Sequence, residues 1–119
     1  MLSQAVELHQ YRTQTGQVPF RNWIEGLRSR TVVERIDVQL TRVRSGNLGD
    51  HRELGGGLCE MRLFFGPGYR IYFVRLGRSS VLLLAGGTKS TQRADIRKAR
   101  AYHADYIQRK ILSGRQLPD

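Results

Sequence analysis

The sequence predicts a single α+β domain in the order β-α-α-β-β-β-α, with a small antiparallel sheet and two helices packed on one of its faces. Three observations predict it. Two apolar stripes with helical spacing lie between Pro19 and Arg44. Three strand-like runs follow, joined by connections short enough for hairpins. A long, basic, helical segment comes after them. A chain of 119 residues has room for one hydrophobic core, so residues 1–119 read as one domain.

Val6 and Leu8 alternate with Glu7 and His9, the period of a short first strand. Thr13 to Gln17 is polar and contains a glycine, which reads as a loop. Pro19 opens the first helix, where Phe20, Trp23, Ile24 and Leu27 fall on one stripe and place Trp23 in the core. Val33, Ile36, Leu40 and Val43 repeat that spacing in a second helix, which Ser45-Gly46 stops. Asn47 to Gly57 reads as a loop. The runs Leu58–Phe65, Tyr69–Leu76 and Val81–Ala85 then make an antiparallel meander through the turns Gly66-Pro67-Gly68 and Gly77-Arg78-Ser79-Ser80. Val81–Ala85 is apolar on both faces and is expected to be the central strand, ended by Gly86-Gly87. Ser90 or Thr91 caps a last helix over Gln92–Leu112. Its apolar line, Ile96, Ala99, His103 and Tyr106, is thin, which predicts weak packing and an open second sheet face unless this last helix covers it.

Charge narrows the partner. The chain carries 20 Lys and Arg against 10 Asp and Glu, a net +10. Residues 1–57 hold +2 of this and residues 58–119 hold +8. The basic residues are arginines except for Lys89, Lys98 and Lys110. Guanidinium groups bind phosphate bidentately and stack on bases, so the bias favours a nucleic-acid partner, RNA or DNA, over a merely solvated surface. The single Cys59 excludes an internal disulfide and a multi-cysteine zinc site. No apolar run is long enough to span a bilayer and no signal-peptide pattern stands out, which predicts a cytoplasmic protein with no membrane partner.

The stretch Glu60-Met61-Arg62 … Tyr69-Arg70-Ile71-Tyr72 concentrates the chemistry. Alternation puts Glu60 and Arg62 on one face and Cys59, Met61, Leu63 and Phe65 on the other. Ile71 and Phe73 look inward, so Arg70 and Tyr72 look to the open face. An ordinary cross-strand ion pair between Glu60 and Arg62 or Arg70 is compatible with a functional role. Lys89, just before a helix start, is placed to hold a phosphate, although the glycine spacing is not that of a P-loop. Arg93 and Arg97 on the last helix, with Tyr72, are candidate RNA contacts. His9, His51 and His103 share no ligand spacing, and the open face offers one carboxylate rather than a cluster, so neither metal nor cofactor is expected. Metal-free RNA cleavage needs a base for the ribose 2′-OH, cations on the phosphorane and an acid for the leaving 5′-oxygen. Glu60, Arg62, Arg70 and Lys89 are the catalytic candidates.

The chain resembles RelE/HigB-type toxins of bacterial toxin–antitoxin modules, in the subgroup called addiction module killer proteins. The resemblance rests on Phe20-x-x-Trp23-x-x-x-Leu27, Gly46-Asn47-Leu48-Gly49-Asp50, Glu60-x-Arg62, Phe65-Gly66-Pro67-Gly68-Tyr69-Arg70-x-Tyr72-Phe73 and Gly86-Gly87-Thr88-Lys89-Ser90-Thr91-Gln92-x-x-Asp95-Ile96, which run in order through about residues 18–107. It implies a RelE-like α+β fold and a type II toxin that inhibits translation by metal-independent cleavage of mRNA on the ribosome. It also implies a cognate antitoxin, expected to be a helix-turn-helix protein. Within the resemblance, Arg70 matches the arginine at the scissile phosphate, Arg62 a basic residue on the preceding strand, and Lys89 a further basic site residue. The C-terminal tyrosine or histidine acid of some relatives has no clear match; Tyr102, His103 and Tyr106 are loose candidates. Two alternatives stand beside this reading: a non-catalytic RNA- or DNA-binding module, and an inactive toxin-like partner of an antitoxin.

Overall fold

The computed structural model describes residues 5–114. Strand β1 (Glu7–Gln10) leads into helices α1 (Pro19–Gly26) and α2 (Arg30–Arg44), then β2 (His51–Gly55), β3 (Leu58–Leu63), β4 (Tyr69–Arg75) and β5 (Ser80–Thr88). A single 3-10 turn, Lys89–Thr91, joins β5 to α3 (Gln92–Leu112). The fold is α+β, in the order β-α-α-β-β-β-β-α.

The helices fall where the apolar spacing put them. Pro19 sits in the first turn of α1, and the Ser29 hydroxyl caps α2 by accepting from the Val32 amide. The sheet departs from expectation in four ways. It has five strands, ordered β1-β5-β4-β3-β2. One of them, β2, lies in the stretch read as a loop: His51–Gly55 is mostly polar because it is an edge strand in which only His51 and Leu54 are half-buried. The sheet is mixed rather than antiparallel, since β1 runs parallel to β5, with Leu8 beside Val81. The middle strand is β4, and β5 lies between it and β1.

The fourth departure is at Gly86-Gly87, which lie inside β5 rather than ending it. Each is there because another element presses on the strand. A Cβ on Gly86 would overlap the Trp23 indole, and a Cβ on Gly87 would overlap the Asp95 carboxylate and crowd the Thr91 hydroxyl. These glycines let α1 close on one face and the start of α3 close on the other.

The sheet therefore carries helices on both faces. Phe20, Ile36, Leu40 and Val43 pack on Cys59, Met61, Leu63, Ile71, Phe73 and Leu83 in a first core. A second core joins Leu58, Tyr72, Val74, Leu82, Leu84 and Ala85 to Ala99, with Ile96, Tyr102 and Tyr106 beside them. The pairing slips between Tyr72 and Phe73, and the bulge turns both Leu84 and Ala85 toward this second core. The expectation of an open face under a weakly packed last helix is thus corrected. The apolar line of α3 is thin because one fully buried small residue, Ala99, brings the helix close, and Ile96, Tyr102 and Tyr106 fill the flanks. Tyr102 stacks on Tyr11 with ring centroids 5.0 Å apart. Asp105 accepts hydrogen bonds from Tyr11, Gln14 and Arg109, and Arg109 reaches the Arg12 carbonyl, tying the far end of α3 to the segment after β1.

Candidate functional site

The pairing of β3 with β4 sets the site. Arg62 stands opposite Arg70, and Arg70 stands opposite Gly87 on β5. The Arg62 amide donates to the Asp50 carbonyl, which completes a row Asp50–Arg62–Arg70–Gly87 across the sheet. The next row is Arg52–Glu60–Tyr72–Ala85. Strand alternation puts Glu60, Arg62, Arg70 and Tyr72 in register on one face; Glu60, Arg70 and Tyr72 lie under α3, while the Arg62 side chain, at the sheet end, reaches Asp50 and lines a cleft beside α2.

What changes is their exposure. The end of α3 lies over them, so Glu60 and Tyr72 are fully buried and the Arg70 side chain is 11% exposed. The Glu60 carboxylate accepts from Arg52 Nε at 3.0 Å and from Gln92 Nε2, on the first turn of α3, at 2.8 Å. Arg70 Nη1 lies 4.0 Å from the same carboxylate. Two arginines and an amide thus converge on one enclosed anion, which neutralises the charge that burial would otherwise penalise. Glu60 is out of reach of solvent in this arrangement, unlike the open-face carboxylate that the sequence suggested.

Two groups beside it are left over. Among the described residues, neither Arg70 Nε nor the Tyr72 hydroxyl has a hydrogen-bond partner, and both atoms are buried. The Tyr72 phenol is pushed far above its ordinary range, first by burial and then by the Glu60 and Asp95 carboxylates, so it stays protonated. A buried donor without an acceptor costs free energy. Arg62 is better served: its guanidinium binds Asp50 at 3.1 Å and lies 5.5 Å from the Phe64 ring centroid. Like charges directly opposite across two strands repel, and the Arg62–Arg70 pair is held apart by drawing each arginine to its own carboxylate.

Lys89 follows the row closely, since its amide donates to the Gly68 carbonyl at the β3–β4 turn. Its side chain is exposed, and with Arg93 and Arg97 it lines a cleft of about 520 Å³ along the first turns of α3. Gln92 lines the same cleft and also binds Glu60. The candidates therefore form two groups meeting at Gln92: an inner set of Glu60, Arg62, Arg70 and Tyr72, and an outer set of Lys89, Arg93 and Arg97. The caps differ slightly from expectation. Thr88 and Thr91 form a reciprocal capping box around the 3-10 turn, and the Thr91 hydroxyl donates to Asp95 at 2.5 Å.

Sequence reasoning missed Arg52, Gln92 and Asp50. Arg52 and Asp50 lay in the presumed loop, and nothing in the local pattern around Gln92 marks a residue that reaches a strand 32 positions away. The histidines stand apart. His51 lies on the opposite sheet face, accepting from Arg75 at 3.2 Å, and His103 lies against Gly57 at the other end of β3. Among the described residues, no three His, Cys, Asp or Glu side chains converge in a way that could hold a metal ion. No helix among them is long and apolar enough to cross a membrane.

Fold and site together define a small basic α+β protein with an arginine row at one end of a helix-covered sheet. No protein-family model matches the chain. It is 36% identical over 81 residues to an uncharacterized protein of Haemophilus influenzae, an alignment covering 68% of this chain and 82% of that protein. The chain belongs to the same family as that protein.

Proposed function

We propose that the protein is the toxin of a type II toxin–antitoxin module and cleaves mRNA on the ribosome without a metal ion. The observation that carries this reading is the Arg62–Arg70 row, in which two strand-borne arginines face each other and one keeps a buried Nε without a partner. An anion bound between them would relieve both the repulsion and the orphaned donor. The resemblance to RelE/HigB-type toxins supplies the substrate class, and Lys89 at the rim adds a further cation.

In this reading the ribose 2′-oxygen gives its proton to water and attacks phosphorus, a 2′,3′-cyclic phosphate forms as the bond to the 5′-oxygen breaks, the leaving 5′-oxygen takes a proton from water, and Arg62 and Arg70 balance the charge that grows on the phosphorane. Glu60 serves as a positioning residue for Arg52 and Arg70, because its carboxylate is enclosed. The antitoxin, a helix-turn-helix protein by resemblance, would bring acidic groups toward Arg62, Arg70 or Lys89. The enclosure of Glu60 also favours a second reading, an RNA-binding module without cleavage, since the site then lacks its obvious base.

Purified protein added to a translation extract tests both. Cleaved mRNA supports the toxin; RNA binding without cleavage supports the module; neither outcome leaves only a docking partner. Co-expression with the adjacent reading frame tests the antitoxin: a product that neither co-purifies nor rescues growth removes that assignment.

A further inference from the structure

We propose that Phe64 is a stacking platform for a base of single-stranded RNA, and that Arg62 passes the strand from this platform to Arg70. The inference rests on the reading of the sheet end as an RNA site and adds the form of the substrate that enters it. Phe64 is the first residue after β3 and is 75% exposed. Among the described residues every other aromatic side chain is buried or half-buried. A single exposed apolar side chain is common at a protein surface; what sets Phe64 apart is its place beside Arg62, at the end of the arginine row.

Its surroundings fit a nucleotide. Arg62 lies over the Phe64 ring and Arg35 lies over Phe65, 4.2 Å from that centroid. Between them runs a cleft of about 490 Å³, lined also by Val38, Arg42 and Asp50. Three of these residues are cations, and the one carboxylate, Asp50, is already bound by Arg62. Flat apolar rings interleaved with guanidinium groups match the alternation of bases and phosphates in a single strand. The large apolar side chains exposed here are Val38 and Phe64, a small apolar centre for a protein partner. Arg62 belongs to both the cleft and the row, so a strand stacked on Phe64 would place its next phosphate at Arg62 and Arg70.

The experiment is fluorescence anisotropy with labelled oligouridylate, an RNA duplex of the same length, and labelled polyglutamate. Phe64→Ala is expected to weaken oligouridylate binding about tenfold, with the duplex affinity and the salt slope unchanged, and Phe64→Trp to restore binding. Arg62→Ala should reduce the salt slope by about 0.7, one single-strand phosphate contact. Oligouridylate affinity unchanged in Phe64→Ala overturns the inference. So does an equal loss toward polyglutamate, which would make the cleft a dock for an acidic protein. If the unaltered protein binds no RNA, the proposed function falls and this inference with it; if it binds RNA and Phe64→Ala is indifferent, the stacking inference falls alone.

Discussion

Gln92 Nε2 donates to the Glu60 carboxylate at 2.8 Å, joining the first turn of α3 to the middle of β3. That bond, with Arg52 and Arg70 around the same carboxylate, turns a face that looked open into a covered one. The basic site is therefore confined to the sheet end and the rim of α3.

Removing the Glu60 carboxylate should be costly. Glu60→Ala leaves Arg70 enclosed without its counter-ion, and breaking one side of a buried ion pair typically costs ~3 kcal/mol. Gln92→Ala should cost less, ~1.5 kcal/mol, as the loss of one hydrogen bond to a charged group. Urea unfolding measures both. An unchanged midpoint in Glu60→Ala would mean that the carboxylate is solvated and α3 does not cover it.

Arg70 asks for a gentler change than alanine, because its side chain is enclosed. Arg70→Lys keeps a charge but loses the planar fork that can grip a phosphate at two points. Cleavage or RNA affinity is expected to fall by at least about tenfold while the thermal transition stays near that of the unaltered protein. Full activity in Arg70→Lys would argue that only charge matters there.

Gly87→Ala should loosen the start of α3. Its Cβ would occupy the place of the Asp95 carboxylate, and forced overpacking of this kind costs ~1–3 kcal/mol. Hydrogen exchange along residues 88–98 should speed up more than exchange at the far end of the helix. Uniform exchange across α3 would contradict the close contact at Gly87.

Binding should weaken with salt. Arg62, Arg70 and Lys89 lie within one site, and three phosphate contacts to a single strand predict a slope of log affinity against log salt of about −2. An affinity flat across the titration would remove the arginine row from the interface.

Acid should destabilise the fold through His103. Burial and the nearby Arg100 hold its pKa below the ordinary 6.5, so the folded state resists a proton that the unfolded chain accepts. The contribution is fully present above about pH 6.5, and it is lost as pH falls below that value. His103→Gln should flatten this part of the stability–pH curve; an unaltered slope would mean that His103 titrates as it does in water.

Features that depend on neighbours along the chain were legible in the residues alone. The apolar spacing placed α1 and α2, the cap and the closing glycine placed α3, the turns placed the β3–β4–β5 meander, and alternation put Glu60, Arg62, Arg70 and Tyr72 on one face. Tertiary structure alone decided the rest. Strand β2 is polar because an edge strand needs few apolar residues, so its pairing with β3 shows only once β3 is there to receive it. The parallel match of β1 with β5 depends on two helices carrying the chain back across the sheet, which no local pattern records. Whether the Glu60 face was open or covered rested on a helix packed through Ala99 and tyrosines and pinned by Gln92, contacts whose strength comes from close approach rather than from apolar periodicity.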